Sequence, residues 1–138
     1  MKIRSVEVMR LEMPEKKLET APRRASWAKD SEVANPMSKF PEFKRHRRLW
    51  HPITIVVNYT VTAEDGTFGL GSCSFGRPVA AVIEDHFAKR LVGQNALAIE
   101  RIWDLMFRMS KPYGTVGLAS VAMSGVDLAL WDLAGKLQ

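Results

Sequence analysis

"ITIVVNYTVTAEDGTFGLGSCSF", residues 53–75, holds two runs rich in Ile, Val, Thr and Tyr joined at Asp65-Gly66. Those residue types suit a pleated, half-buried strand, and Asp-Gly between two such runs is the strongest short-range hairpin signal, because glycine accepts the positive φ that a tight turn needs. The spacing predicts antiparallel strands over 53–63 and 67–74. Gly69, Gly71 and Gly76 loosen the exit of the second run, where a missing side chain permits a bulge or the close approach of another backbone. Toward the N-terminus, IRSVEVMRLEM alternates Ile3, Val6, Val8 and Leu11 with charged residues, with one slip of phase. That pattern predicts a first strand over 2–13 with one solvated face.

Toward the C-terminus, Arg77-Pro78 opens a helix at a position where proline's missing N–H costs nothing. Val79, Val82, Ile83, His86, Phe87 and Arg90 follow i, i+3, i+4 spacing up to Gly93, a residue suited to ending a helix in the left-handed conformation. A second helix places Ile99, Ile102, Trp103, Met106 and Phe107 on one face and is stopped by Pro112 and Gly114. The third, over 117–137, is apolar nearly all round and calls for burial on several sides. The fold class is therefore α+β: a three-stranded antiparallel sheet followed by a helical bundle. Three strands and two amphipathic helices cannot cover every face of the third helix, so the chain is expected to be the front portion of something longer.

Between Pro14 and Pro52 neither period holds, and prolines fall at 14, 22, 36, 41 and 52. A loop much longer than about 12–15 residues is uncommon in a compact domain and is either a functional lid or disorder. Trp27, Val33, Met37, Phe40, Phe43 and Trp50 argue against disorder, which is poor in aromatics. This loop also carries the whole charge imbalance. The formal net charge is +5, and the ten basic and five acidic residues between Pro14 and Trp50 account for all of it. Nucleic-acid readers display bases along a helix or sheet face with aromatics spaced for stacking, whereas KRHRR, residues 44–48, lies in a proline-bounded loop. Two readings stay open for it: a solvated charge run, or an arginine fork for a small carboxylate or phosphate.

Other function classes find little support. There is no Walker loop, dinucleotide fingerprint, CxxC pair or HExxH. His46, His51 and His86 are too dispersed to suggest a metal site. Cys73, the single cysteine, excludes an internal disulfide and suits a small core residue better than a nucleophile. MKIRSVEVM lacks the apolar run of a secretory leader, so an intracellular, cytoplasmic protein is expected. Asp127, Asp132 and Lys136 interrupt the most apolar segment, which argues against a membrane span. Asp127 and Asp132 lie on different faces of that helix, and each needs a backbone amide or a basic partner. FGLGSCSFGRP, residues 68–78, precedes a helix but matches no phosphate fingerprint; Arg77 is its candidate for touching an anion.

Taken together, strand, long loop, DG hairpin and helices ending in SGVDLALWDLAGKLQ, residues 124–138, resemble the N-terminal capping domain of the enolase superfamily, in its mandelate racemase and muconate-lactonizing branch. Within that branch, NPMSKFPEFKRHRR, residues 35–48, is similar to the acid-sugar dehydratases of the L-rhamnonate dehydratase type, in which a PMSKY-type motif precedes a substrate-binding arginine. By offset from that motif the arginine falls on Arg47. The resemblance implies a capping domain over residues 1–138, with a mobile active-site loop at 14–50 and a helix at 117–138 leading to a catalytic modified TIM barrel missing from this chain. It further implies Mg2+ held by barrel carboxylates, removal of the proton alpha to a carboxylate, and loss of water to give a 2-keto-3-deoxy acid. The barrel would hold the catalytic residues and metal ligands, leaving the fragment inactive alone. The capping domain would read the distal end of a small acid-sugar substrate, with Arg47 on its oxygens, Trp27 and Phe75 as pocket walls and Tyr113 on the loop between the second and third helices. The longer enzyme would be a homo-oligomer without nucleic-acid or membrane partners. Alternatives are another reaction of the superfamily, racemisation or cycloisomerisation, or a free-standing basic module that binds nucleic acid. One departure stands out: the dehydratases carry a histidine ahead of the loop tryptophan, and KLETAPRRASW, residues 17–27, has none. This leaves the acid sugar itself open, and a different one is an alternative.

Overall fold

The computed structural model describes residues 1–9, 36–44 and 56–138. The chain divides into two units, Met1–Leu11 with Thr54–Gln138, and Glu12–Ile53. In the second unit the described residues form two short 3-10 turns, Pro36–Lys39 and Pro41–Phe43. Each begins at a proline, whose fixed φ suits the first position of a turn and whose absent N–H is not needed there.

In the first unit, β1 (Ile3–Met9), β2 (Val57–Ala63) and β3 (Phe68–Cys73) form one antiparallel sheet in the order β1-β2-β3. The predicted residues 10–13 and 53–55 of the first two strands lie outside the described residues. The hairpin closes at Asp65-Gly66 as expected. Gly66 takes φ 92° and donates its N–H to Ala63 O at 3.0 Å, and Asp65 Oδ1 accepts the Thr67 N–H at 2.9 Å. The free edge of β1 is covered by the segment after the first helix. Ile3 N–H reaches Gln94 O and Gly93 N–H reaches Ile3 O, both at 2.9 Å, which removes an unpaired edge that would otherwise template association.

Three helices follow. The first, α1, runs over 76–91: it is α-helical at Gly76–Ala81, widens to π geometry at Val82–Phe87, and returns to α at Ala88–Leu91 before Gly93 at φ 85°. The sequence pattern predicted an ordinary helix with His86 and Arg90 on its inner face. Instead Val79, Ile83, Phe87 and Leu91 are fully buried, Arg90 is exposed and His86 is half-buried. Strict four-residue spacing explains this. At about 100° per residue, four residues of α-helix overshoot one turn by about 40°, so a buried stripe at 79, 83, 87 and 91 would wander off the core unless the helix widens.

Next, α2 (Ile99–Ser110) buries Ile99, Ile102, Met106 and Ser110. Trp103 and Phe107, expected on the inner face, sit at its edge: Trp103 is 43% exposed and Phe107 half-buried. Last comes α3 (Leu118–Leu137), which lies across the sheet against β3. By length and a mean hydropathy of 1.2 it could cross a membrane, but half of it is buried within the domain, as in a core helix. Its outer side leaves Leu128 and Trp131 exposed, so the expected burial on several sides is met on one flank only.

Glycines set how closely α3 approaches the sheet. In register, Val61 stands beside Gly69 and Tyr59 beside Gly71. A Cβ on Gly69 would lie 1.9 Å from Ala129 O, and one on Gly71 2.5 Å from Gly125 O. Gly125 in turn leaves a notch for the Tyr59 hydroxyl, which a Cβ there would meet at 1.4 Å. The outer edge of β3 is tied to the same helix: Asp132 Oδ2 accepts the Leu70 N–H at 2.7 Å, and Lys136 Nζ donates to Phe68 O at 3.0 Å. This is the close backbone approach that the glycine-rich run allowed.

Candidate functional site

Two hollows flank α1. One, of about 520 Å³, has an apolar floor of Val8, Met9, Val56 and Val57 from the ends of β1 and β2, with Arg77, Glu84 and Asp85 of α1 along its side. The other, of about 550 Å³, is walled by Val82, His86, Met109, Pro112 and Tyr113. Ala81 and Asp85 border both. Their volumes suit a small ligand. In the first hollow, a guanidinium able to hold carboxylate or hydroxyl oxygens stands with two carboxylates able to accept from hydroxyl groups.

Phe75 sits where β3 hands over to α1, in the left-handed conformation with φ 73° and ψ 15°, and Gly76 follows at φ 55°. A bulky residue held there stores on the order of 1–3 kcal/mol, and such strain concentrates at functional loops. The Phe75 ring is half-buried and packs against the core cluster; the next two residues, Gly76 and Arg77, line the first hollow. Tyr113 borders the second hollow, and its hydroxyl lies 2.8 Å from His86 Nδ1, with the rings edge to face at 5.5 Å. Partial burial raises the Tyr113 phenol above its ordinary value. Of the four residues proposed for the substrate, Arg47 and Trp27 lie outside the described residues, and Phe75 and Tyr113 are not brought into one hollow.

His86, Glu84 and Asp85 were not singled out from the sequence as part of a site. The signal that could have revealed them is the four-residue apolar spacing of α1, which turns His86 off the buried stripe and toward Tyr113. His46 and His51 lie outside the described residues. Cys73 is half-buried, its thiol pushed up by burial, which keeps it a poor nucleophile. Asp132 has the expected partners, the Leu70 amide and Lys136 at 2.6 Å, and these hold its carboxyl below the usual range. Asp127 differs: burial pushes its carboxyl up, and its partner is the Trp131 side chain. Among the described residues no three His, Cys, Asp or Glu side chains converge, so they offer no seat for Mg2+.

The profile of the family "Mandelate racemase / muconate lactonizing enzyme, N-terminal domain" matches residues 50–138. The chain belongs to this family. Its fold is that of the enolase-superfamily capping domain, a three-stranded sheet followed by helices. An L-rhamnonate dehydratase from Saccharopolyspora erythraea is 43% identical over 112 residues, covering 79% of this chain and 28% of the relative. The chain thus spans little more than a quarter of that relative's length, consistent with a capping domain without its barrel. The crystal structure of L-rhamnonate dehydratase from Gibberella zeae superposes with a TM-score of 0.79 at 28% identity, covering 99% of this chain and 32% of that one. A second structure of the rhamnonate dehydratase from that organism, complexed with Mg, gives a TM-score of 0.80 at 28% identity, covering 99% and 34%.

Proposed function

We propose that this capping domain selects the substrate and closes the active site of a magnesium-dependent acid-sugar dehydratase, a carbon-oxygen lyase of the cytoplasm. The observation that carries this reading is the 43% identity to an L-rhamnonate dehydratase over 112 residues. That length exceeds the span 50–138 of the family profile, so the likeness extends into the segment before residue 50, where specificity is expected to lie. In the reaction, a base takes the proton alpha to the carboxylate, the 3-hydroxyl then leaves as water with a proton from the acid, and the resulting enol becomes a 2-keto-3-deoxy acid. The acid, the base and the magnesium ligands belong to the barrel of the longer enzyme.

The capping domain contributes recognition and exclusion of water. Arg47 holds substrate oxygens with its planar fork, which fixes several acceptors in one geometry. Trp27 and Phe75 form apolar walls, and Tyr113, braced by His86, presents a hydroxyl at the edge. Closing over the substrate strengthens every polar contact inside by removing competing water. The missing early-loop histidine leaves open which acid sugar is the substrate.

The test is a screen of sugar acids for 2-keto-3-deoxy product with Mg2+ and the full-length enzyme, followed by Arg47→Ala. Misplacing a substrate by about 1 Å costs about a hundredfold, so kcat/KM is expected to fall by that order while metal affinity holds. Unchanged kcat/KM across the panel would remove Arg47 from the site. Absence of keto-acid product from every sugar acid would overturn the dehydratase reading itself.

A further inference from the structure

The tip of the β2–β3 hairpin carries a pair of residues whose chemistry neither the packing nor the proposed function uses. Glu64, Asp65 and Gly66 are exposed there. Asp65 Oδ1 accepts the Thr67 N–H at 2.9 Å, a bond from a side chain to the amide two residues ahead. The small ring closed by that bond contains both the Asp65 carboxyl carbon and the Gly66 nitrogen, so the turn holds them side by side, the positioning that favours an intramolecular attack. Glycine removes the usual obstacle, a side chain on the residue that supplies the nitrogen. A Cβ on Gly66 would have nothing within 4 Å, so the turn has room for a new ring. One bond opposes the attack: the Gly66 N–H is donated to Ala63 O at 3.0 Å and has to be released first. At an exposed hairpin tip such local opening costs little.

We propose that Asp65 is a self-modification site, converted to isoaspartate by its own backbone. The Gly66 nitrogen attacks Cγ of the protonated side chain; a C–N bond forms, and the carboxyl hydroxyl leaves with the amide proton as water, giving a cyclic imide. Water then opens the imide. Opening at the former side-chain carbonyl restores aspartate, and opening at the main-chain carbonyl leaves the chain running through Cβ and Cγ. Water lost in the first step is regained in the second, so the route needs neither an oxidant nor a cofactor, and the mass is unchanged. The product has an extra main-chain carbon inside the turn and a free carboxylate where the peptide carbonyl had been. Loop length fixes the register of a hairpin, so Thr67 loses its acceptor and the pairing of Thr62 with Phe68 beside the turn is disturbed. Among the described residues the other aspartates are placed differently: Asp85, Asp104, Asp127 and Asp132 lie inside helices and precede His86, Leu105, Leu128 and Leu133.

The test is incubation of the 138-residue chain over days at neutral pH, followed by peptide mapping with electron-transfer fragmentation, which separates isoaspartate from aspartate at equal mass. Isoaspartate at residue 65 should exceed that at each helical aspartate by at least about tenfold, a barrier difference of about 1.4 kcal/mol, because those residues must first leave a helix whereas a hairpin tip opens readily. Methyl transfer from S-adenosylmethionine by an isoaspartyl methyltransferase labels the new carboxylate and gives a second readout. Asp65→Ser should remove most of that label while circular dichroism shows the fold intact. Asp65→Asn should convert faster, because its amide loses ammonia more readily than an ionised carboxyl loses water, and mapping reads the change of mass directly. Isoaspartate at residue 65 no more abundant than in the helices would overturn the proposal. So would a label undiminished in Asp65→Ser, since the modified residue would then lie elsewhere.

Discussion

Replacing Gly69 with alanine tests how α3 is seated on the sheet. The added Cβ would stand 1.9 Å from Ala129 O, 2.6 Å from Leu133 N and 2.8 Å from Leu133 Cβ. A carbon and a carbonyl oxygen settle at about 3.3 Å, so the helix has to retreat by about 1.4 Å. The obstructing atoms are mostly backbone, and no rotamer change relieves them. A radial gap of about 0.5–1 Å already forfeits a quarter to a half of each dispersion contact, and the retreat would be felt at Tyr59, Gly71 and Gly125 along the same seam. Ordinary overpacking costs about 1–3 kcal/mol, and this case should reach or exceed the upper end, against a total of about 5–15 kcal/mol for a domain. Gly135 provides the control. It lies in the same helix with nothing within 4 Å of its would-be Cβ, so Gly135→Ala should stabilise by about 0.8–1 kcal/mol through helix propensity alone. Urea unfolding followed by circular dichroism reads both. A Gly69→Ala chain within about 0.5 kcal/mol of the parent would refute the close-seam argument, as surface changes commonly fall in that range.

Tyr59 is fully buried, and among the described residues its hydroxyl has no oxygen or nitrogen partner, only the neighbouring Cys73 thiol. Tyr59→Phe should therefore leave stability unchanged or raise it by up to about 1 kcal/mol, measured by the same unfolding; a clear loss would reveal a partner for the hydroxyl. The two aspartates of α3 should respond oppositely to pH. Asp132 is held below the usual carboxylate range by Lys136 and the Leu70 amide, so it adds stability above about pH 4 that is lost as pH falls through its lowered value. Asp132→Asn should flatten that acid limb in a series of Tm against pH. Asp127 is pushed up by burial, so its ionisation costs stability as pH rises from about 4 through its raised value, and Asp127→Asn should remove that decline.

The hairpin, the three helices and their order were legible because each rests on local chemistry: Asp65-Gly66 for the turn, Pro78 and Gly93 for the ends of α1, Pro112 for the stop after α2. The facing of side chains was less legible. Trp103 and Phe107 have the hydrophobicity of core residues but sit at the margin of α2, because Ile99, Ile102 and Met106 already fill the space against α3. Tyr59 and Gly125 show the same limit, since nothing local in either segment reports that one leaves a notch for the other. For the site, the resemblance of residues 35–48 indicated Arg47, whereas the pairing of Tyr113 with His86 depends on the widening of α1. Its local pattern also suits an ordinary helix, and only the repeated interval of four distinguishes the two.

That widening has a further meaning. An α-helix would bury a stripe spaced four, three and four residues apart; α1 buries one spaced four, four and four, as though one residue had been inserted between Ile83 and Phe87. Accommodating an insertion inside a helix, rather than looping it out, keeps both flanking segments on the core while changing what the intervening turn presents. Here that turn carries Glu84, Asp85 and His86, three of the polar residues that border the two hollows. A relative lacking the extra residue would keep the same core and the same helix ends, and would show a different set of side chains to whatever occupies those hollows.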